Sequence, residues 1–369
     1  MLDLNTIVRP TALIDKRRVL NNIARMTEKA RKSGVRFRPH FKTHQSAEIG
    51  NWFRDFGTRC ITVSSLEMAQ YFAEHGWDDI TVAFPVNLRE INRIRELSER
   101  IRLHVLVLSH EAVTFLQNEL TNPVDIWIKI DSGYRRTGLP WDNPEAIVRL
   151  AQQIQRHALT RLRGILTHNG SGYFADSRTA IRNVYADTIQ RMQSVREALL
   201  AAGISECEIS VGDTPCCSVV DEFFGVDEVR PGNFVFYDVM QLNLGACSEA
   251  DIAMVVACPV VALHPERHRM VVYGGAIHLS KDHLMMDDQR KYFGLVAPLV
   301  SGGWGPALPG VQVIALSQEH GIIELSPEQL SQFRIGDLVA ILPIHSCLAA
   351  NLHKKYCTLD GEWIEMAKI

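Results

Sequence analysis

The sequence lacks the features that mark secreted, membrane-spanning and nucleic-acid-binding proteins. Its start, MLDLNTIVRP, has no basic segment followed by an apolar one, so we expect no signal peptide. The longest apolar run, Ile252 to Leu263, is too short to cross a bilayer and contains Pro259. The net charge is −3 and no basic stripe is present. We therefore expect partners other than membranes and nucleic acids.

Cysteines arranged for a disulfide framework are lacking as well. The 8 cysteines are scattered, and two of them, Cys216 and Cys217, are adjacent. In a chain of 369 residues without a secretion signal, this pattern indicates reduced thiols and a cytoplasmic location.

What the sequence does contain, over its first two thirds, is a regular alternation of short apolar runs and helix-like segments. One such segment, Arg178 to Gly203, ends in the glycine expected after a helix. Eight strand-then-helix units predict an α/β fold with a closed (β/α)8 barrel of the TIM type, and the alternative is an open doubly wound sheet. The eight predicted strands are 35–40, 59–63, 79–84, 102–108, 124–130, 162–168, 207–212 and 227–232.

The pattern changes after about residue 240, where strand-like runs are separated by turns rather than by helices. A Gly/Pro-rich loop, Ser301 to Gly310, lies among them. This pattern of strand-like runs and turns predicts a mostly-β C-terminal domain.

Polar signatures fall where most of the predicted barrel strands end, which is where barrels carry their active sites. The last two lie where barrels often hold a phosphate, although simple turn chemistry would also explain their glycines. The signatures are Lys42 and His44, Ser64 to Glu67, Asp131 to Gly138 (DSGYRRTG), His168 to Tyr173 (HNGSGY), Gly212 to Pro215 (GDTP) and Arg230 to Asn233 (RPGN).

Lys42 stands between two histidines, in RPHFKTH. Taken alone, such a lysine is an ordinary solvated residue. At the mouth of a barrel that binds a phosphate, its amine could form a Schiff base with the aldehyde of a phosphate-bearing cofactor. Nearby cations would lower its pKa and support that chemistry.

These motifs, in this order and over nearly the whole chain, resemble the D-serine dehydratase/D-threonine aldolase group of pyridoxal-phosphate enzymes, which combine an alanine-racemase-type barrel with a β domain. The resemblance implies pyridoxal 5'-phosphate bound through Lys42. It places His168 beside the cofactor ring, Tyr173 at the substrate, Arg136 near the phenolic oxygen and Arg230 near the pyridine nitrogen. The residues that it places around the phosphate are Gly212, Asp213, Thr214, Gly232 and Asn233.

A second candidate site is the pair His345 and Cys347, in LPIHSCLAANL. On a strand, residues i and i+2 share a face about 6.6 Å apart, so the two side chains could share one metal ion. Imidazole and thiolate suit Zn²⁺ best among the divalent metals. Spacing alone also fits a buried histidine and cysteine in a β domain, but the resemblance implies a zinc pair, since the related aldolases carry His-x-Asp there.

The sequence alone leaves the reaction open. The expected activity is a metal-dependent lyase for a small D-3-hydroxy amino acid, with D-serine converted to pyruvate and ammonia. The alternatives are a D-threonine aldolase-like carbon–carbon lyase, an amino-acid racemase using Tyr273, and a pyridoxal-phosphate-binding protein without a reaction. Tyr273 opens a segment, YGGAIHLSKD, that departs from the commoner form in the group.

The resemblance also implies an organisation into domains and subunits. An N-terminal segment, 1–11, would join the β domain, the barrel would comprise 12–242 and the β domain 243–369. A homodimer is expected, with the β domain of one subunit facing the barrel of the other.

Overall fold

The computed structural model describes residues 2–300 and 302–369. Contacts divide the chain into two units. The barrel unit comprises residues 24–42 and 49–232 together with residue 369. The β unit comprises residues 2–23, 43–48, 233–300 and 302–368.

The strands of the described residues are β1 Thr11–Ile14, β2 Arg36–Phe37, β3 Ile61–Val63, β4 Asp79–Pro85, β5 Arg102–Val107, β6 Val124–Asp131, β7 Leu139–Pro140, β8 Thr160–Leu166, β9 Glu208–Val211, β10 Glu228–Val229, β11 Met254–His264, β12 Arg269–Tyr273, β13 Leu284–Met285, β14 Lys291–Tyr292, β15 Gly294–Val300, β16 Gly303–Trp304, β17 Gln312–Leu316, β18 His320–Glu324, β19 Leu338–Pro343, β20 Lys355–Thr358 and β21 Trp363–Glu365.

The α-helices are α1 Lys16–Lys32, α2 Ala47–Asp55, α3 Leu66–Glu74, α4 Ile91–Arg100, α5 His110–Glu119, α6 Pro144–Gln155, α7 Arg178–Ala201, α8 Thr214–Val219, α9 Val239–Asn243, α10 Ala276–Leu279, α11 Pro327–Leu330 and α12 Ser346–His353. Among the described residues, no helix has both the length and the apolar character that crossing a membrane would need.

The barrel unit is a ring of parallel strands in the order β2, β10, β9, β8, β6, β5, β4 and β3. The ring closes where the Phe41 N–H donates to the Thr62 carbonyl at 2.8 Å and the Thr62 N–H donates to the Pro39 carbonyl at 2.9 Å. All eight predicted strands are present, and the predicted barrel is confirmed. Strands buried on both faces read as continuous apolar runs, which made them visible in the sequence.

Serine caps begin three of the barrel helices, and the glycine predicted after one of them is present. Ser65, Ser109 and Ser177 each accept a hydrogen bond from a backbone N–H in the first turn of α3, α5 and α7. Helix α7 ends at Ala201, and Gly203 follows with a φ of +84°. These helices bring the chain back to the start of the next strand, so the carboxyl ends of all eight strands meet at one face.

The β unit is built on a mainly antiparallel sheet in the order β12, β18, β17, β15, β19, β11, β1, β20 and β21. Its core is a cluster of fully buried aliphatic residues, including Val256 on β11 and Ile341 on β19. The strand-like runs predicted after residue 240 include IAMVVACPVVAL, HRMVVYGG, VQVIALSQE and DLVAILPIH, which are present as β11, β12, β17 and β19, and the mostly-β character is confirmed. Ser301, in the predicted loop, lies outside the described residues.

Candidate active site

A pocket of about 430 Å³ opens at the carboxyl ends of the barrel strands. Lys42 lines it from the turn after β2, and Ser64 lines it from the end of β3. Its floor is formed by the apolar side chains of Ala83, Leu106 and Leu166, which pack around the buried Trp127 inside the barrel. The pocket is therefore a rigid, apolar-floored cleft rimmed by polar side chains, the usual form of a small-molecule site.

Lys42 is an exposed residue of this pocket, and its backbone N–H donates to His40 Nδ1 at 3.4 Å. A second lysine, Lys129 on β6, lines the same pocket but is only 6% exposed. The Lys129 ammonium donates to the Ile130 carbonyl at 2.9 Å. Burial, together with the charges of Arg230 and Arg136, lowers the pKa of Lys129 to about 7. The sequence reasoning did not assign Lys129 a role, although it opens the KIDSGYRRTG run.

Two arginines complete the cationic lining. Arg136 lies in the loop after β6, with its guanidinium 5.5 Å from the centre of the Tyr134 ring. Arg230 follows β10 and is buried; its Nε donates to Ser210 Oγ at 2.7 Å and its Nη2 to the Thr167 carbonyl at 2.5 Å. Burial lowers the pKa of Arg230 to about 10, so the guanidinium stays charged at neutral pH. A pocket lined by these cations favours a ligand with several negative charges.

His168 follows β8 and lines the pocket. Its Nδ1 lies 2.7 Å from the Gly212 carbonyl, and because a carbonyl only accepts, Nδ1 carries the proton. Burial and the charges of Arg136 and Lys42 hold the pKa of His168 well below its ordinary value, so the ring is neutral. The Tyr173 ring, in the short 3₁₀ helix Gly170–Phe174, lies 6.1 Å from the His168 ring.

The predicted phosphate loop, Gly212 to Thr214, is fully buried between β9 and α8. A Cβ on Gly212 would lie 2.8 to 2.9 Å from the backbone of Arg230, so no larger residue fits there. Asp213 caps α8, since its Oδ1 accepts from the Cys216 N–H at 2.6 Å. Burial raises the pKa of Asp213 to about 7. Its carboxyl thus shapes the loop, and the groups suited to an anion are the neighbouring backbone N–H groups and the Thr214 hydroxyl.

Gly232 is buried and ends the barrel unit, whereas Asn233 belongs to the β unit. The Asn233 side-chain amide donates to Asp238 Oδ2 at 2.6 Å and to Ser346 Oγ at 2.9 Å. Its side chain therefore faces the residues around Cys347.

The candidate metal pair lies in the β unit, and the geometry predicted for it is wrong. Strand β19 ends at Pro343, so His345 and Cys347 do not share a strand face. His345 is instead the extended residue before α12, with a φ of −132°, and Cys347 is in the first turn of that helix. The side chains still meet, because the ring of His345 forms a hydrogen bond with the Cys347 thiol.

Charges close to His345 explain its protonation. Burial opposes a charge on the ring, but Cys347 and the carboxylate of Asp282 outweigh it and raise the pKa of His345 to about 11. His345 Nδ1 lies 2.9 Å from Asp282 Oδ2. An imidazole held by a carboxylate on one nitrogen, with a thiol beside the ring, is a donor set that suits Zn²⁺.

The metal pair has few other ligands to offer. Within residues 2–300 and 302–369, no group of three or more His, Cys, Asp or Glu side chains is arranged to hold a metal ion. Two protein ligands leave the remaining tetrahedral positions for water or substrate, as in catalytic rather than structural zinc sites. Thr43 was missed by sequence reasoning; its hydroxyl lies 3.2 Å from Cys347 Sγ.

Comparison with known proteins identifies the family of both parts of the chain. The family described as "Alanine racemase, N-terminal domain" matches residues 14–239. The chain belongs to this family. The family described as "Putative serine dehydratase domain" matches residues 253–359, so both parts of the chain are accounted for.

Two relatives match nearly the whole chain. D-threo-3-hydroxyaspartate dehydratase of Delftia sp. (strain HT23) is 31% identical, over 97% of this chain and 95% of that protein. Its solved structure has a TM-score of 0.92, at 29% identity, and covers 100% of this chain and 99% of its own. D-serine dehydratase of Dictyostelium discoideum is 30% identical, over 98% of this chain and 95% of that protein.

These comparisons confirm the predicted family, the fold and the enzyme class, which is a pyridoxal-phosphate-dependent lyase. The geometry of the pocket and of the metal pair is the basis for the roles that we propose for the site residues.

Proposed function

We propose that this protein is a pyridoxal-phosphate- and zinc-dependent lyase that converts D-serine to pyruvate and ammonia. The observation that carries the proposal lies in the residues around Lys42. Lys42 lines the cationic pocket, and the next residue in the chain, Thr43, has its hydroxyl 3.2 Å from Cys347 Sγ. One short segment thus carries both the candidate cofactor lysine and a contact to the candidate metal thiol.

The pocket residues fit pyridoxal phosphate. Lys42, the exposed lysine, would hold the cofactor covalently and, once released by the substrate amine, take the α-proton. Bound there, the cofactor supplies an electron sink for the charge that the α-proton leaves behind. Arg136 would face the phenolic oxygen. Arg230, charged at neutral pH, would donate to the ring nitrogen and keep it unprotonated.

The remaining pocket residues would orient the two ligands. The neutral ring of His168, fixed by the Gly212 carbonyl, would pack on the cofactor, and Tyr173 beside it would face the substrate. Buried backbone and a hydroxyl would hold the phosphate. The residues that we propose for the phosphate are Gly212, Thr214, Gly232 and Asn233, with Asp213 as the cap that shapes their loop.

His345 and Cys347 would hold Zn²⁺. The bound ion would supply a Lewis acid for the β-hydroxyl group of the substrate, which is a poor leaving group, and would ease its departure. Another divalent metal is the alternative. A solved D-threo-3-hydroxyaspartate dehydratase in which one cysteine is replaced by alanine is described as being in the metal-free form, which supports a metal in that relative.

A second substrate is favoured by the cations of the pocket. Lys129, Arg136 and Arg230 line it without an acidic residue among the lining residues described. An amino acid with a second carboxylate, D-threo-3-hydroxyaspartate, would be attracted to this lining. It is the substrate that the name of the Delftia relative gives.

The assembly is also part of the proposal. We propose a barrel of 12–242, a β domain of 243–369 and an N-terminal segment of 1–11 that joins the β domain. The pairing of β1 with β11 and β20 supports a link between the start of the chain and the β sheet. We further propose a homodimer located in the cytoplasm, and the scatter of the 8 cysteines along the sequence is compatible with that compartment.

The deciding experiment is pyruvate release from D-serine by the purified protein supplied with pyridoxal phosphate, before and after removal of metal with a strong chelator. We expect release that the chelator abolishes and that Zn²⁺ restores. Lys42→Ala should be inactive, while Lys32→Ala, at an exposed position on α1, should match the wild type.

Other outcomes separate the alternatives. Pyruvate release that ignores the chelator would remove the metal from the proposal. Oxaloacetate from D-threo-3-hydroxyaspartate with no pyruvate from D-serine would favour the second substrate. Acetaldehyde from D-threonine, or racemisation that Tyr273→Phe abolishes while Cys347→Ala does not, would overturn the dehydratase assignment.

A further inference from the structure

The ring of His345 is oriented by one carboxylate. Asp282 lies between α10 and β13, and its Oδ2 is 2.9 Å from His345 Nδ1. The backbone N–H of Asp282 donates to Ser280 Oγ at 3.2 Å, which fixes the start of its loop. Because a carboxylate only accepts, Nδ1 keeps its proton, and when the charged ring gives up its other proton to bind a metal, Nε2 presents the lone pair. This is the tautomer that a metal-binding imidazole needs when Nε2 is the ligand atom.

Besides the ring of His345, the Thr43 hydroxyl and the Asn233 amide lie close to the sulfur of Cys347. Thr43 Oγ1 lies 3.2 Å from it, and Asn233 Nδ2 lies 3.5 Å from it. A thiolate, the form that binds metal, has no proton, so the Thr43 hydroxyl becomes a donor to sulfur once a metal is bound. The two hydrogens of the Asn233 amide are already donated to Asp238 and Ser346. A donor such as Thr43 disperses the charge of a metal-bound thiolate and tunes the strength of its bond to the metal.

Other hydrogen bonds hold the loop of Thr43 and the amide of Asn233 in place. Thr43 is fully buried, and its loop is fixed where the Tyr356 hydroxyl donates to the His44 carbonyl at 2.9 Å. The Asn233 amide is fixed by Asp238 and Ser346. The contacts to sulfur are therefore present before any ligand arrives, which is the preorganisation that a precise metal site requires.

We propose that Asp282 and Thr43 are positioning residues for the metal: Asp282 sets the tautomer and direction of His345, and Thr43 donates to the thiolate of Cys347. This inference rests on the proposed function, since it presupposes that His345 and Cys347 bind Zn²⁺. It goes further by naming the two residues outside the ligand pair on which metal affinity depends.

The test is a titration of the full-length, metal-free, pyridoxal-phosphate-loaded protein with Zn²⁺ in competition with a chromogenic chelator. Replacing such outer partners typically costs about 10- to 100-fold in metal affinity. We expect a loss in this range for Asp282→Ala, a smaller one for Asp282→Asn, which keeps an acceptor oxygen, and a loss near tenfold for Thr43→Val.

Matched controls use the same side chains elsewhere in the β unit. Asp288→Ala removes an exposed carboxylate that accepts from Arg290, and Thr11→Val removes a buried hydroxyl that donates to the Arg9 carbonyl. Both should bind Zn²⁺ like the wild type. The thermal midpoints of the metal-free variants should match those of these controls, which separates lost affinity from lost folding.

A spectroscopic readout tests Thr43 beyond a packing role. With Co²⁺ in place of Zn²⁺, the sulfur-to-metal charge-transfer band reports on the thiolate. Thr43→Val should shift this band and Thr43→Ser, which keeps the hydroxyl, should restore its position. A band that is the same in all three proteins would overturn the role of Thr43.

The outcomes distinguish this inference from the function on which it rests. If the wild type binds Zn²⁺ no better than Cys347→Ala, the proposed metal itself is refuted. If Cys347→Ala loses Zn²⁺ but Asp282→Ala and Thr43→Val keep wild-type affinity, the function stands and the inference is refuted.

Discussion

The barrel contains a buried carboxylate, Glu228, whose contribution to the free energy of unfolding can be worked out from the structure. Glu228 on β10 is fully buried; its Oε2 lies 2.6 Å from Nε of the buried Arg38, and its Oε1 accepts from Ser210 Oγ at 2.7 Å. Burial disfavours its charge, but Arg38 outweighs this and lowers the pKa of Glu228 from the ordinary 4.5 to about 2. Each tenfold change in proton affinity corresponds to about 1.4 kcal/mol, so the charged carboxylate contributes about 3 kcal/mol.

Glu228→Gln should therefore destabilise the barrel by about 3 kcal/mol at pH 7, because it removes one of the two carboxylates that pair with the buried Arg38 and leaves only Asp79. For a unit of about 200 residues, this corresponds to a fall in thermal midpoint of roughly 6 to 12 °C. Cofactor affinity should fall as well, because Ser210, which donates to Glu228, also accepts from Arg230 in the pocket.

The pH dependence gives a second check. Because the folded pKa of Glu228 is depressed, its contribution is fully present above about pH 4.5 and is lost as the pH falls toward 2. Thermal unfolding followed by circular dichroism should show a constant difference between wild type and variant from pH 5 to pH 8, narrowing below that. As a control, Glu119→Gln breaks a half-exposed pair with Arg95 and should cost less than about 1 kcal/mol. A shift for Glu228→Gln no larger than the control would refute the reasoning.

Two further changes test the loop and the metal pair. Gly138→Ala should destabilise the loop that carries Arg136 by about 1–3 kcal/mol and weaken cofactor binding, because Gly138 has a φ of +124° and a Cβ there would lie 2.6 Å from the Asp131 nitrogen. Gly34→Ala, whose added Cβ would have nothing within 4 Å, should lower the thermal midpoint less than Gly138→Ala does. Equal falls in the thermal midpoint would contradict the predicted clash at Gly138. Cys347→Asp should shift the metal preference of the site from Zn²⁺ toward harder ions such as Mn²⁺. The bound metal would be measured after dialysis against an equimolar mixture of the two ions. Unchanged selectivity for zinc would count against a metal-bound sulfur.

The barrel could be predicted from the sequence because its signals are local. Several strands are buried apolar runs, such as VDIWIKI on β6, and three strands are followed by a helix with a serine cap. The polar residues at the strand ends converge because parallel strands point the same way. Lys42, Arg136, His168 and Arg230 are accordingly found around one pocket.

The metal pair shows where local reasoning stops. Spacing of i and i+2 predicted a shared strand face, but β19 ends two residues before His345 and α12 begins at Ser346. Whether a strand continues past Pro343 depends on its pairing with β15, which spacing cannot reveal. Asp282 and Thr43 reach the pair from positions 63 and 304 residues away along the chain, so no local pattern marks them.

Lys129 was missed for a different reason. Its place on a strand predicts which face it occupies only when the register of the barrel is known. The pocket therefore holds two lysines, and the proposed mechanism depends on which of them binds the cofactor. Lys42 is exposed, whereas Lys129 is buried and already donates to the Ile130 carbonyl.

The most direct test is to reduce the pyridoxal-phosphate-loaded protein with borohydride, which makes the link between cofactor and lysine permanent, and to map the label by peptide mass spectrometry. We predict a pyridoxyl label on Lys42 and none on Lys129, with Lys42→Ala unlabelled. A label on Lys129, or no specific label in the wild type, would contradict the assignment of Lys42 and with it the proposed catalytic site.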